Sequence, residues 1–495
     1  MNKYKTLKYI SYFSLIIISF LLILNLKNIF FKLDYIYLHV DERQLIDDIY
    51  NVFFLNDEFN RFIRIENNFF RNVLILISEL IIGGNLDYGR LWNNIFVLIC
   101  APFFLFSNTA PIIVERIVVI LLLYSSIYFF GKNFISKKIQ NIFILFCFSI
   151  PGIFVVLDPP KPDVLILLTL FIGFKYLLND KNLRVGFMFL GISIGIKLTS
   201  LLPALILGVY LIYPLKKIDT IKKILNSIIY TFVGILIAQP ALLIPYPPIF
   251  KRIISQVKAA VLYDQKSLDS AFLSSFSDWT GIIKYFYSIN GYILVVLFAL
   301  LIFELLNNFR NRINLEESYF LLTFCLLTLF NMLFISRVWI YYLLIPFLFL
   351  NCYFFLIFPK DKSRLTKFIF SFYVIVSISG LMKNINSQFN YGFVENVSWT
   401  NNLNKSIEFI DYKYSEENTP YKYKLVYWDT DYYFPKKNLT YESDFRVLEN
   451  WEIDTKLNPL NSNIDFIVTR ELFDITNDYK VEKIGDLKIY YLSNR

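Results

Sequence analysis

Apolar residues run in long blocks, broken by short clusters of lysine and arginine, as far as residue 382; short alternating runs take over beyond it. A block of about 18 or more apolar residues has the length of a membrane-spanning helix. The first block, 9–31, follows Lys3, Lys5 and Lys8. It is too long for a signal-peptide core and lacks a small-residue cleavage site, so it is expected to be a retained span. Further spans are expected at 112–130, 141–157, 164–178, 226–246, 287–306, 319–335, 338–358 and 368–382. The stretch 185–213 has basic residues on both flanks, Lys181 and Arg184 before it and Lys216, Lys217, Lys222 and Lys223 after it. Two full spans need roughly 40 residues, and fewer are available. The stretch therefore predicts a hairpin of two short helices turning near Lys197, Thr199 and Ser200. Broken helices at membrane depth are tolerated only beside protein or a water-filled cavity, which makes this turn a candidate cavity wall. With the hairpin counted as two, the pattern predicts about eleven membrane helices.

Cytoplasmic loops carry an excess of lysine and arginine. When the spans alternate, Lys132, Lys137, Lys138, Lys181, Arg184, Arg310, Arg312, Lys360, Lys362, Arg364 and Lys367 fall on one side. The N-terminus is then cytoplasmic, and the loop 32–111, the turn 158–163, the segment 249–284 and the tail 383–495 are external. The apolar stretch 91–106 is expected to be interfacial or re-entrant, like 73–82, because a span there would put the lysines after Phe130 outside. The tail carries alternating runs at 423–427, 465–468, 479–483 and 487–491, which predict strands, and helical spacing at 398–410. The expected fold is an all-α polytopic membrane domain over 1–382, interfacial helices included, followed by a small external α/β domain over 383–495. The expected location is the cell (inner or plasma) membrane, with the tail external or periplasmic.

Composition agrees. Hydrophobic residues make up 56% of the 495, above the roughly 45–50% of soluble chains, and mean hydropathy is +0.50. The net charge of +9 sits mostly in short loops, where it sets topology, and no nucleic-acid module is evident. Cys100, Cys147, Cys325 and Cys352 all lie in apolar stretches, so neither a disulfide framework nor a CxxC metal site is expected. His39 is the only histidine, which excludes sites built on several histidines. No metal or cofactor is expected.

Four groups of residues can carry chemistry. Asp41 and Glu42 open the first external loop. Asp41 with Gln44 reads as a capping box; a carboxylate held beside the membrane is also what a general base requires. Lys161 and Asp163 lie in the turn Asp158-Pro159-Pro160-Lys161-Pro162-Asp163. They can end helices and complement the helix dipole, or face the same cavity as Asp41, with Lys161 toward an anion. Lys197 sits in Gly191-Ile192-Ser193-Ile194-Gly195-Ile196-Lys197-Leu198-Thr199. The small residues permit close helix packing, and a lysine there needs a partner, for which a lipid phosphate is a natural choice. Arg337 lies close before Trp339, Tyr341 and Tyr342, either as a headgroup anchor or as a fork that clamps phosphate. Arg116 beside Glu115 has the same two readings, with an Arg–Glu pair the simpler.

In this order — Asp-Glu after the first span, a Lys-Pro-Asp turn, a Gly-x-x-x-Gly-x-Lys-x-Thr hairpin and an Arg–Tyr–Tyr–Pro span — the motifs resemble the GT-C superfamily of membrane glycosyltransferases. That group includes protein O-mannosyltransferases, the lipid A aminoarabinose transferase and bacterial dolichyl-phosphate-mannose-type transferases. The resemblance covers roughly 9–358 and implies an inverting transfer from a polyprenyl-phosphate sugar to a hydroxyl of a glycan, lipid or protein. It implies Asp41 as base, Glu42 as its support and Asp163 as the acid of the second external turn, with Lys197 and Arg337 near the lipid phosphate. Lys161, Arg116 and Tyr341 complete the expected substrate contacts. After the Asp-Glu pair the chain departs from the aminoarabinose-transferase pattern: Asn85-Leu86-Asp87-Tyr88-Gly89-Arg90 looks more like uncharacterised bacterial relatives. The rival readings are a transporter or flippase of lipid-linked saccharides, and a surface-polysaccharide ligase or polymerase.

Overall fold

The computed structural model describes residues 3–31, 38–39, 45, 49, 80–81, 90–106, 110–150, 153–157, 160–178, 182–197, 200–212, 217–243, 292–310, 322–323, 325–329, 343–356, 364–389, 402, 405–406, 409, 425–427, 432–433, 466–469, 479–485 and 487–492. The chain divides into two compact units, Met1–Leu26 with Leu45–Gln388, and Lys27–Gln44 with Phe389–Arg495. The second is discontinuous: it takes in the start of the first loop as well as the tail.

The first unit is helical. The described helices, which lie in this unit apart from the end of α1 from Lys27 on and the last residue of α11, are α1 (Lys3–Phe31), α2 (Arg90–Cys100), α3 (Ala110–Phe134), α4 (Gln140–Phe148), α5 (Asp163–Leu178), α6 (Leu183–Ile196), α7 (Leu201–Ile212), α8 (Lys217–Ala238), α9 (Tyr292–Arg310), α10 (Leu344–Leu356) and α11 (Arg364–Phe389). Among the described residues three stretches are long and apolar enough to cross a membrane: Thr6–Ile29, Ala110–Asn133 and Lys367–Asn386. Shorter apolar helices accompany them, at Arg90–Leu105, Leu183–Ile196, Ile224–Ala238, Val295–Asn307 and Leu344–Phe355.

Prolines account for the main departures from the expected spans. The span expected at 141–157 is helical only to Phe148, ahead of Pro151-Gly152, and 153–157 form turns. The span expected at 226–246 starts earlier, at Lys217, and ends at Ala238, before a 3₁₀ turn over Pro240–Leu243. Proline has no N–H to extend the ladder and disfavours helical geometry in the residue before it. The expected break at Lys197 is present: α6 ends at Ile196, Lys197 is extended (φ −157°, ψ 130°), and α7 begins at Leu201. Of the span expected at 319–335, residues 322–323 and 325–329 are helical.

The bundle is apolar on the outside. Tyr9, Phe13, Ile16, Phe20 and Ile23 form one exposed stripe on α1, and Leu225, Ile228, Ile229 and Phe232 another on α8. Such stripes suit a hydrocarbon solvent; in water they would be association surfaces. Polar groups turn inward and join helices, as expected where apolar burial cannot drive helices together. Asn25 donates to the Tyr124 hydroxyl (3.0 Å), Tyr373 to Asn351 Oδ1 (2.5 Å), and Asn384 to the carbonyls of Phe148 (2.9 Å) and Ile150 (3.0 Å). The last two bonds satisfy carbonyls left without helical partners where α4 stops.

The second unit holds a four-stranded mixed sheet in the order β2-β4-β6-β5, built from β2 (Leu425–Tyr427), β4 (Phe466–Thr469), β5 (Tyr479–Ile484) and β6 (Leu487–Leu492). A separate pair joins β1 (Leu38–His39) to β3 (Tyr432–Tyr433). Strand β2 is parallel to β4, and β5 and β6 form a hairpin whose two-residue turn opens on Gly485 at φ 63°. A left-handed first turn residue fits the twist of the strands, and glycine adopts it without steric cost. Leu487 and Ile489 are buried on one face of the central strand β6 and Tyr490 on the other, while Lys480, Glu482 and Lys483 of edge strand β5 are exposed. Phe409 packs edge-on against Tyr491 with ring centroids 5.4 Å apart, so this helical residue covers the face of β6 that Leu487 and Ile489 share.

Candidate functional site

Helix directions bring several buried polar residues of the first unit, Asp163, Lys161, Arg90 and Gln239 among them, to one end. Residues 179–182 are the whole connection between α5 and α6, so these helices are antiparallel neighbours and the start of α5 meets the end of α6. Gly173 and Gly186 let them approach: a Cβ on Gly173 would lie 3.0 Å from Leu190 and one on Gly186 2.5 Å from Leu177. Helices α6 and α8 run parallel and closer still. A Cβ on Gly191 would collide with the Thr231 carbonyl, one on Gly234 with the Met188 carbonyl, and one on Gly195 would sit 2.6 Å from the Ala238 methyl. The Gly191/Gly195 spacing thus does what small residues do between membrane helices, letting backbones touch. Both helices end at the same level, one before Lys197 and the other before Gln239.

At this end the Lys197 ammonium donates to Asp163 Oδ2 at 2.9 Å, with the two side chains only 11% and 9% exposed. The placement is doubly favourable. Asp163 is in the first turn of α5, where the dipole is positive, and Lys197 caps the C-terminus of α6, where it is negative. Removing one partner from such a pair leaves a buried charge, at a cost of about 3–5 kcal/mol. The surrounding backbone is pinned. Lys161 N–H donates to the Val156 carbonyl (2.9 Å), Leu157 and Pro160 form an antiparallel bridge, and Phe154 stacks on Phe148 at 5.8 Å. The buried Ser200 hydroxyl is shared between the carbonyls of Ser193 (2.5 Å) and Lys197 (2.8 Å), satisfying acceptors where α6 ends.

Two more polar residues arrive from other helices. Arg90 N–H, at the start of α2, donates to Gln239 Oε1 at 2.8 Å, and both residues are buried. Helix α4 folds back along α3, with Phe130 against Phe143 (5.6 Å) and Tyr124 against Phe148 (4.5 Å). Helix α5 then runs alongside α3, with Phe130 4.4 Å from Phe171. The start of α3, with buried Glu115 and Arg116, therefore belongs to the same end as Asp163. The opposite end carries exposed Lys132, Lys137 and Lys138.

Of the expected site residues, Lys161, Asp163, Lys197 and Arg116 lie at this polar end, and Asp163 and Lys197 are in direct contact. The anion that meets Lys197 is this chain's own carboxylate. Asp41, Glu42, Arg337 and Tyr341 lie outside the described residues. Ser200, expected only as part of the turn, Gln239 and Arg90 were not among the expected site residues. Ser200 could have been found from its place three residues after a lysine that breaks a helix, and Gln239 from its place before a helix-ending proline. Arg90 is the one charged residue of a helix that is apolar but for Asn93 and Asn94, with Trp92, Phe96 and Cys100 on its buried face. Among the described residues no group of three or more His, Cys, Asp or Glu forms a metal-ligand set. Comparison with known proteins finds no matching family model, no matching curated protein and no matching solved structure.

Proposed function

We propose that this chain is an inverting membrane glycosyltransferase of the GT-C type, which moves a sugar from a polyprenyl-phosphate donor to an acceptor hydroxyl outside the cytoplasm. The observation that carries the reading is the buried Lys197–Asp163 pair at a helix break, at the end of the bundle opposite the exposed lysines. A cation fixed there meets a departing lipid phosphate without reorganising, the condition under which electrostatic stabilisation is most effective. Asp163 orients Lys197, Ser200 fixes the turn that bears it, and Arg337 is the second candidate for the phosphate. Asp41 takes the acceptor's proton, the acceptor oxygen attacks the anomeric carbon, and the sugar–phosphate bond breaks with its electrons going to the phosphate. Glu42 supports Asp41. The polar end is external, since the lysine-rich end is cytoplasmic by the positive-inside rule.

The deciding experiment is transfer by purified protein from a polyprenyl-phosphate sugar, with acceptors identified by mass spectrometry of surface glycans and glycolipids in a deletion strain. Asp41→Asn keeps a good N-cap but cannot take a proton, so transfer is expected to fall about 10²–10⁴-fold with membrane accumulation unchanged. Near-normal transfer by both Asp41→Asn and Glu42→Gln rejects the mechanism. The break at Lys197 with its buried ion pair also fits a transporter of lipid-linked saccharides. Movement of such a lipid across vesicles without any change in its sugar would establish that alternative.

A further inference from the structure

A groove lies toward the lysine-rich end of the bundle, away from the Lys197–Asp163 pair. It runs between α3, α5 and α10, where Phe130, Leu167, Phe171, Phe174, Ile345 and Cys352 mark its extent, and its lining is wholly apolar. Its space, the open side included, is about 360 Å³. From Leu167 to Phe174 on α5, and from Ile345 to Cys352 on α10, the lining extends about 10 Å at 1.5 Å per residue. The groove therefore follows the helix axes, which is the direction of a lipid chain beside a membrane-spanning helix.

Two cations stand where the groove meets the lysine-rich end. Lys175 is one turn beyond Phe171 and continues the row Leu167–Phe171 on α5. Its ammonium lies over the Phe129 ring, 4.9 Å from the centroid, across the seam with α3. Lys132 follows Phe129 by three residues, on the same face of α3, and is exposed. The C-terminal part of α10 reaches this end too. Phe355, three residues past Cys352, packs edge-on against Phe143 at 5.4 Å, and Phe143 stacks on Phe130 at 5.6 Å.

We propose that the groove seats one chain of an anionic phospholipid whose phosphate is held by Lys132 and Lys175. This requires a bundle that stands in a membrane and is independent of the glycosyltransferase reading, in which the donor phosphate belongs to the opposite end, at Lys197. Charge selects the occupant. A zwitterionic lipid offers the same hydrocarbon to the apolar walls but brings no net charge to the two ammoniums. A lysine beside an anionic headgroup contributes roughly fivefold in affinity, so the pair gives a preference of roughly 30-fold. The chain fills a seam that α3, α5 and α10 leave open, which makes the lipid a link between these three helices.

The test uses the full chain in detergent, titrated with phosphatidylglycerol and with phosphatidylcholine of the same chains, and bound lipid is counted by native mass spectrometry. One phosphatidylglycerol is expected to bind roughly 30-fold more tightly than phosphatidylcholine. A phosphatidylglycerol with a diazirine in mid-chain should leave its photo-adducts on the peptides that hold Phe171 or Phe349. Lys132→Gln/Lys175→Gln should abolish the preference. Lys137→Gln/Lys138→Gln removes the same charge from exposed positions of the same end and should keep the preference within twofold. Leu348→Trp fills the groove and should remove the adducts; because a core substitution can also unfold the bundle, the two lysine pairs carry the decision. Equal loss in both lysine pairs would reduce the effect to general surface charge and overturn the site. Equal affinity for the two lipids, or adducts confined to helices outside the groove, would overturn it as well. Polyprenyl phosphate that displaces the probe equally from wild type and from Lys132→Gln/Lys175→Gln would assign the groove to that lipid's chain and reject the phospholipid.

Discussion

The helical bundle and the tail sheet invert each other's chemistry. In the bundle Phe13, Ile16 and Phe232 are exposed while Asp163, Lys161, Arg90 and Glu115 are buried; in the sheet Leu487, Ile489 and Tyr490 are buried while Lys480 and Glu482 are exposed. The two regions solve one problem in two solvents. Hydrocarbon is as apolar as leucine, so burying leucine between helices gains little there, and association depends on small residues and polar bonds. In water the removal of apolar area contributes about 25 cal/mol per Å², and alternating side chains on a strand supply that area. The same contrast explains why candidate chemistry concentrates in the bundle: a buried charge there needs a partner, and the partner defines a place.

Five single substitutions test this contrast, in falling order of effect. Lys197→Met should be the most damaging, since it leaves Asp163 buried without its ammonium, at about 3–5 kcal/mol. Thermal unfolding in detergent should drop sharply and recover in large part in Lys197→Met/Asp163→Asn; equal stability of the single variant and the wild type would mean that the pair contributes nothing. Ile489→Ala removes a fully buried side chain from the sheet, and about 2–5 kcal/mol is expected. Proteolysis should then digest the tail while the bundle survives, and joint loss of both would show that the units do not unfold separately. Gly191→Ala and Gly234→Ala push α6 and α8 apart, with about 1–3 kcal/mol expected. The readout is thermal aggregation, and a neutral result would refute the backbone contact. Gly485→Ala forces a β-carbon into a left-handed turn and against Asn402, worth about 1–2 kcal/mol. Its effect should appear in protease resistance of the tail and leave the bundle's melting unchanged.

The helices and strands were largely legible because the signals for them are local. The run Asp163–Leu178, the break at Lys197 and all four main strands fall within a few residues of their expected places. Where the expectation overshot, as at Phe148 and Ala238, the prolines ahead, Pro151 and Pro240, were visible but lay inside the expected spans. The candidate site was half legible. A lysine in an apolar block announces that it has a partner, yet nothing near Lys197 says whether that partner is a lipid phosphate or Asp163.

By itself the sequence determined which stretches are helical, which alternate, where the chain must break and which end of each helix carries polar residues. Composition and periodicity act over one or two turns of chain, so a single sequence is enough to read them. Tertiary structure alone decided that α6 lies parallel to α8, that the ammonium of Lys197 meets the carboxylate of Asp163, and that Leu38 and His39 pair with Tyr433 and Tyr432. Each of these is a choice among many chemically acceptable partners. It is made by the collision-free approach of glycines, the geometry of a short antiparallel connection and the free edge of a strand, and none of these exists until the chain has folded.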